Sequence, residues 1–247
     1  MLTEERHSII LQLLKEKGSV TVAEIKDQLH ISESTIRRDL NALDEEGKLT
    51  KVFGGAVLTE SVPLVTELSV PQKLQVKEAE KRSIARYAAA LIEPNDFVYL
   101  DAGTTTGYMI EYPMEKSATF VTNAVDHARR LAVAGYRVFL VGGELRGTTE
   151  AVVGAQAILS IQEYHFTKGF FGTNGISRRH GFSTPDGSEA VVKKTALHQC
   201  SKTYILADAT KFDEVSSVTF AGYHDAQILS ESLPKNYESF GNIIVVS

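Results

Sequence analysis

The chain has 247 residues, 43% hydrophobic and 23% charged, with a formal net charge of −5; this is room for two ordinary globular domains, and the acidic balance disfavours diffuse attraction to membranes or nucleic acid. The start carries no cationic and apolar leader, and no apolar run reaches membrane-spanning length, so a cytoplasmic protein with no membrane partner is expected. The lone cysteine, Cys200, excludes an intrachain disulfide or thiolate zinc cluster, and the scattered histidines lack ligand spacing, so no metal and no cofactor are expected.

In chain order, Thr3 can cap a first helix carrying Ile9, Ile10, Leu13 and Leu14, ended by Gly18. Thr21 and Glu24 have the spacing of a capping box, and the helix they open buries Val22, Ile25 and Leu29. After the break at His30 and Ile31, Ser32 caps a third helix. Ile36, Leu40 and Leu43 line its inner face, while Ser34, Thr35, Arg37 and Arg38 occupy its first two turns. Hydroxyl and guanidinium groups so placed suit the start of a recognition helix, where Arg can bind guanine through two hydrogen bonds. A hairpin after Gly47 would turn Leu49 and Val52 inward and Lys48 and Lys51 outward, with Gly54 and Gly55 supplying backbone freedom. Residues 1–56 therefore read as a winged helix-turn-helix that contacts double-stranded operator DNA through Ser32, Ser34, Thr35, Arg37, Arg38, Lys48 and Lys51.

Through Thr59 there are 8 Lys and Arg against 10 Asp and Glu, a net of −2, where nucleic-acid-binding domains usually carry a basic excess. Affinity must come from local placement, helped by joining two modules in a homo-oligomer, a dimer or tetramer. Arg6, Ile10, Leu14, Ser32, the run Thr35 to Leu40 and Gly54-Gly55-Ala56 together resemble the DeoR family of bacterial transcription regulators.

Residues 57–77 hold Pro63 and Pro71 without helical period and read as a linker. From Glu78 an amphipathic helix presents Ile84, Ala88, Leu91 and Ile92 and stops before Pro94. Beyond it, short apolar runs at 97–100, 119–122, 138–141, 169–171, 204–207 and 243–246 look like strands buried on both faces. Helix-length segments separate several of them, as at 124–134 and 187–199. Residues 78–247 should thus form a mainly parallel α/β domain, with ligands beyond the carboxyl ends of its strands.

At such an end stand Asp101, Gly103, Thr104, Thr105 and Thr106, where free helix-start amides and hydroxyls can hold a phosphate. No Gly-Lys-Ser/Thr follows, so nucleotide hydrolysis is not expected. Thr122, Asn123, Gly143, Arg146, Gly172, Asn174 and Lys211 sit at other strand ends, with donors and acceptors for a sugar. Glu189 reads equally as half of a capping box with Asp186 or as a ligand contact, and Lys211 as a solvated strand-end lysine or a phosphate contact.

This half is similar to the effector domain of the DeoR family, whose fold resembles ribose-5-phosphate isomerase and CoA-transferase-like domains. That resemblance implies a phosphate site at Gly103 to Thr106 beside Asp101, with Glu189 and Lys211 in the sugar site. The segments 172–177 and 181–186 most resemble the fructose-operon regulators of Gram-positive bacteria, which implies fructose 1-phosphate as effector. A non-enzymatic regulator, usually a repressor in this family, is the expectation. The alternative is a sugar-phosphate isomerase-like enzyme with an accessory DNA-binding domain, using Glu189, Lys211 and Asp101 for acid-base work. A nonspecific DNA-architectural protein conflicts with the acidic charge.

Overall fold

The computed structural model describes residues 3–45, 48–52, 54–57, 69–237 and 241–246, and the chain divides into two compact units, Met1–Val62 and Pro63–Ser247. Gly47, Phe53 and residues 58–68, the larger part of the expected linker, lie outside the described residues.

The first unit runs α1 (Thr3–Lys17), β1 (Ser19–Thr21), α2 (Val22–Leu29), α3 (Glu33–Glu45), β2 (Thr50–Val52) and β3 (Gly55–Val57). Ile10, Leu14, Val22, Ile25, Leu29, Ile36, Leu40 and Leu43 share one core, as their helical spacing requires. Thr3 is the first residue of α1 rather than its cap, and its hydroxyl accepts from Arg6 at 3.3 Å. Thr21 and Glu24 form both halves of the capping box, and Ser32 accepts from the Thr35 amide at 3.3 Å. β1 is not legible in the sequence. It pairs antiparallel with β3, so the wing is a three-stranded sheet in the order β1-β3-β2. That pairing explains the two glycines. Gly54 has φ +84°, and a Cβ on Gly55 would lie 2.2 Å from the Val20 carbonyl oxygen. Leu49 is buried but Val52, on the outer strand, is 42% exposed, contrary to the inward packing expected of it.

The second unit opens with α4 (Val70–Gln75), which falls inside the segment read as linker. A capping box between Ser69 and Gln72 and Pro71 in the first turn start this helix; six residues are too few to show a period. Then follow α5 (Glu78–Ala90), β4 (Phe97–Leu100), α6 (Thr104–Tyr108), β5 (Thr119–Thr122), α7 (Val125–Val133), β6 (Arg137–Leu140), β7 (Glu144–Leu145), β8 (Val152–Val153), α8 (Ala155–Gln162) and β9 (Phe166–Gly172). The chain continues through β10 (Gly175–Ser177), β11 (Gly181–Thr184), α9 (Gly187–His198), β12 (Cys200–Leu206), β13 (Val218–Ala221), β14 (Gln227–Ser230) and β15 (Ile243–Val245).

Among the described residues the main sheet has the order β15-β14-β12-β9-β4-β5-β6, and its pairings are parallel. Val98, Leu100, Phe120, Phe170 and Leu229 pack on one face with Ile84 and Ala88 of α5. Tyr99, Val121, Phe171, Ile205 and Ile228 pack on the other with Ala157, Ile161 and Ala196 of α8 and α9. Both faces being covered is why these strands read as unbroken apolar runs. The edge strand β6 departs from that rule, because Phe139 and Leu140 are exposed. Two features were not read from the sequence: the β7-β8 pair, and an antiparallel sheet β10-β11-β13, whose first strand begins at Gly175 in a segment expected only as a strand end.

From β4 the chain winds outward through β5 to β6, returns to place β9 on the other side of β4, and continues outward through β12. The strand order therefore reverses between β4 and β9, the place where open α/β sheets leave a crevice. No described helix is long and apolar enough to cross a membrane.

Candidate functional site

In the first unit, Ser32, Ser34, Arg37 and Arg38 are exposed along the start of α3 and Thr35 is half-buried. The Ser32 hydroxyl lies 3.0 Å from that of Ser34 and 2.9 Å from that of Thr35. This hydroxyl cluster and the two guanidinium groups share one end of the helix, as the sequence predicts. Asp39, one turn further, is buried. Both its oxygens accept from Arg6 of α1, at 2.7 and 2.9 Å, and this pairing holds its carboxyl below the ordinary value. Lys48 and Lys51 are exposed, but Lys51 does not simply face out. Its ammonium donates to Asn41 and its amide to Asp44, which fastens β2 to α3.

In the second unit a cleft of about 290 Å³ opens at the carboxyl ends of β4, β9 and β12. Of the residues expected to bind an effector, Gly103, Thr104, Thr105, Gly172, Asn174, Glu189 and Lys211 line it. Asp101 lies beneath. Its carboxylate accepts from the Lys193 ammonium and, at 3.0 Å, from the Gly172 amide, while Lys193 also donates to the Gly172 carbonyl at 3.2 Å. Asp101 and Lys193 thus join β4, β9 and α9 as a charged floor. Asp208 accepts from the Thr210 amide and hydroxyl, shaping the turn that presents Lys211.

The other expected contacts serve the scaffold. Thr106 is fully buried and donates to the carbonyls of Asp101 and Gly103. Thr122 donates to Leu100 O at 2.6 Å and accepts from the Ala124 amide; Asn123 accepts from the Ala102 amide at 3.0 Å and donates to Val152 O. Together they lock the ends of β4 and β5. Gly143 has φ +152°, and its missing Cβ would strike Val153 O at 2.4 Å, so packing of the β7-β8 pair explains this glycine. Arg146 is held by Asp186 and lies 3.5 Å from Glu189. Asp186 caps α9 through the Glu189 amide at 2.9 Å, and despite burial this bond and Arg146 keep its carboxyl below the usual range. The capping box is only half made, because the Glu189 side chain accepts from the Thr149 hydroxyl instead.

α6 has only five residues, so its dipole is small, and the polar groups the cleft offers are mainly hydroxyls and ammonium groups. Here the structure adds residues not singled out in the sequence. Lys73, Lys81, Thr149, Thr173 and Lys193 also line the cleft. Lys81 is 5% exposed; burial pushes its ammonium down to about 8, although Asp208 pulls the other way. The signal for two of these was present. Lys81 precedes Ile84, Ala85 and Ala88 on the apolar stripe of α5, and Lys193 stands between Ala190 and Ala196 on that of α9. A lysine in an apolar stripe needs a partner or a ligand.

Residues 6–62 match the DeoR-like helix-turn-helix domain and residues 76–231 the DeoR C terminal sensor domain. The chain belongs to the DeoR family of transcriptional regulators. It is 40% identical over 231 residues, 93% of this chain and 91% of the relative, to an uncharacterized HTH-type transcriptional regulator, FruR, of Bacillus subtilis (strain 168). It is 35% identical to the lactose phosphotransferase system repressor of Staphylococcus aureus (strain N315), covering 89% of this chain and 88% of the relative. The putative aga operon transcriptional repressor of Escherichia coli O157:H7 is also 35% identical, over 87% of this chain and 80% of the relative. Among solved structures, ribose 5 phosphate isomerase A from Neisseria gonorrhoeae is a distant likeness, with TM-score 0.41 and 14% identity over 54% of this chain and 53% of that one. In this DeoR-family protein the hydroxyl and Arg cluster at the start of α3 lies in the helix-turn-helix match, and the cleft residues from Lys81 to Glu214 lie in the sensor-domain match.

Proposed function

We propose that this DeoR-family protein is a repressor of a sugar-utilisation operon, acting as a homo-oligomer on paired half-sites and controlled by a sugar phosphate, fructose 1-phosphate. The observation that carries the effector reading is Lys81, a buried ammonium lining the same cleft as Thr104, Thr105 and Lys211. A buried cation is costly unless an anion meets it, and a phosphate held by two lysines and two hydroxyls meets that need. Glu189 and Asn174 line the same cleft and offer an acceptor and an amide for sugar hydroxyls. The relatives support the reading, as two are named repressors, one of them of a lactose phosphotransferase system.

Regulation is favoured over isomerisation, because the relatives are named as transcriptional regulators and repressors. Calorimetry with fructose 1-phosphate, fructose 6-phosphate, tagatose 6-phosphate and fructose tests the assignment. Fructose 1-phosphate should bind most tightly, fructose poorly, and each compound should be recovered unchanged. Equal affinity for fructose and its phosphates removes the phosphate site; isomer formation that vanishes in Glu189→Gln establishes an enzyme.

A further inference from the structure

α4 has no buried residue, and a six-residue helix does not persist by itself in water. What holds it is polar, and much of it comes from the cleft. Lys81 donates its ammonium hydrogen to the Lys73 carbonyl, and Tyr108 donates to the Leu74 carbonyl at 3.3 Å. The Val70 amide donates to Thr148 O at 3.4 Å, and the next residue, Thr149, is the one whose hydroxyl Glu189 accepts. Val70, Lys73 and Val76 form part of the wall of the cleft. On the other side of α4, Val70, Pro71 and Leu74 border a second cleft of about 320 Å³, so the helix has space to shift without displacing core. In sequence, α4 is separated from the last wing strand only by residues 58–69.

We propose that α4 is an effector-released strap: a sugar phosphate withdraws Lys81 from the Lys73 carbonyl and Glu189 from Thr149, the helix is freed, and operator affinity changes with it. The chemistry is competition for the same groups. An ammonium bonded to a phosphate dianion gains a charge-assisted hydrogen bond that a neutral carbonyl cannot match, and a sugar hydroxyl replaces the Thr149 hydroxyl one for one. A ligand shifts an equilibrium only through such a difference between the two states. This inference rests on the sugar-phosphate reading of the cleft and adds the route by which occupancy is passed on.

Hydrogen exchange on the full chain tests it, read at the Lys73 and Val76 amides, which are bonded within the strap to Ser69 O and Lys73 O. With fructose 1-phosphate at a concentration that calorimetry shows to be saturating, these amides should exchange about tenfold faster. Unchanged or slower exchange overturns the strap. Lys81→Met should give the fast exchange without any ligand. Tyr108→Phe, which lies outside the effector cleft, should loosen α4 partly, retain sugar-phosphate binding and shift operator affinity in the direction the effector shifts it. Failure of both variants to loosen α4 also overturns the strap. If calorimetry finds no sugar phosphate bound, the effector reading fails, and the phosphate trigger with it.

Discussion

The guanidinium of Arg6 closes on both carboxylate oxygens of Asp39, so α3 is anchored to α1 by a two-point ion pair on its buried side. Asp39→Asn keeps the shape but loses the charge, and should lower the melting temperature and weaken operator binding, because α3 is no longer held in register with α1. The pair depresses the folded-state pKa of Asp39. Its stabilising contribution is therefore full above the unfolded carboxylate value, about 3.9, and disappears as pH falls through the depressed value. Thermal melts from pH 7 down to pH 2 should show wild type and Asp39→Asn converging at the acid end.

Arg37 and Arg38 are exposed on the two turns of α3 that also carry the hydroxyl cluster. Replacing either with Ala should weaken operator binding and leave effector-induced thermal stabilisation intact. A base contact costs about 1–3 kcal/mol and relaxes one position of the site, whereas a phosphate contact weakens all sequences alike. Gel-shift titrations on operator and scrambled DNA separate the two; operator affinity unchanged in both variants removes α3 from the reading role.

Threonines of the same strand-end type should divide by position. Thr105→Val and Lys211→Ala, both in the cleft wall, should weaken fructose 1-phosphate binding by about fivefold or more while the fold persists. Thr122→Val removes hydroxyl bonds to Leu100 O and the Ala124 amide, so it should lower stability by about 1–3 kcal/mol and leave the affinity of the folded protein nearly unchanged. Paired calorimetry and denaturant titration would expose the opposite pattern.

Lys81 gives a pH signature with two signs. Burial lowers its folded-state value to about 8, with Asp208 and Glu78 raising it and Lys211 and Lys73 lowering it further. Between that value and the unfolded lysine value, about 10.4, the unfolded chain holds more protons, so this group makes the free protein more stable as pH rises through that window. Phosphate binding wants the ammonium, so effector affinity should fall over the same rise, with proton uptake on binding near pH 8. Calorimetry in buffers of different ionisation enthalpy measures that uptake, and Lys81→Met should abolish it.

The parts of this protein written in local periodicity were legible. The three helices of the first unit follow from the spacing of Ile10, Leu14, Ile25, Leu29, Ile36 and Leu40, and the parallel strands follow from runs such as Phe97 to Leu100. What was hidden depends on chain segments meeting from afar. Thr122 and Asn123 stand at a strand end as a ligand contact would, and nothing local says that their partners are Leu100 and Ala102, which lie 22 and 21 residues away. α4 shows no period over its six residues, and beyond its capping box it depends on bonds from Lys81 and Tyr108 that nothing local announces.

Cys200 is half-buried, its sulfur 3.1 Å from the Ala196 carbonyl, and burial pushes its thiol up to about 12. It is the chain's one sulfhydryl, and at neutral pH almost none of it is the reactive thiolate. The native sequence is therefore a silent background for maleimide chemistry. A cysteine placed at exposed Gln75 would carry a fluorophore on α4 alone, so the motion of one short helix could be followed in the intact regulator as it meets sugar phosphate and DNA.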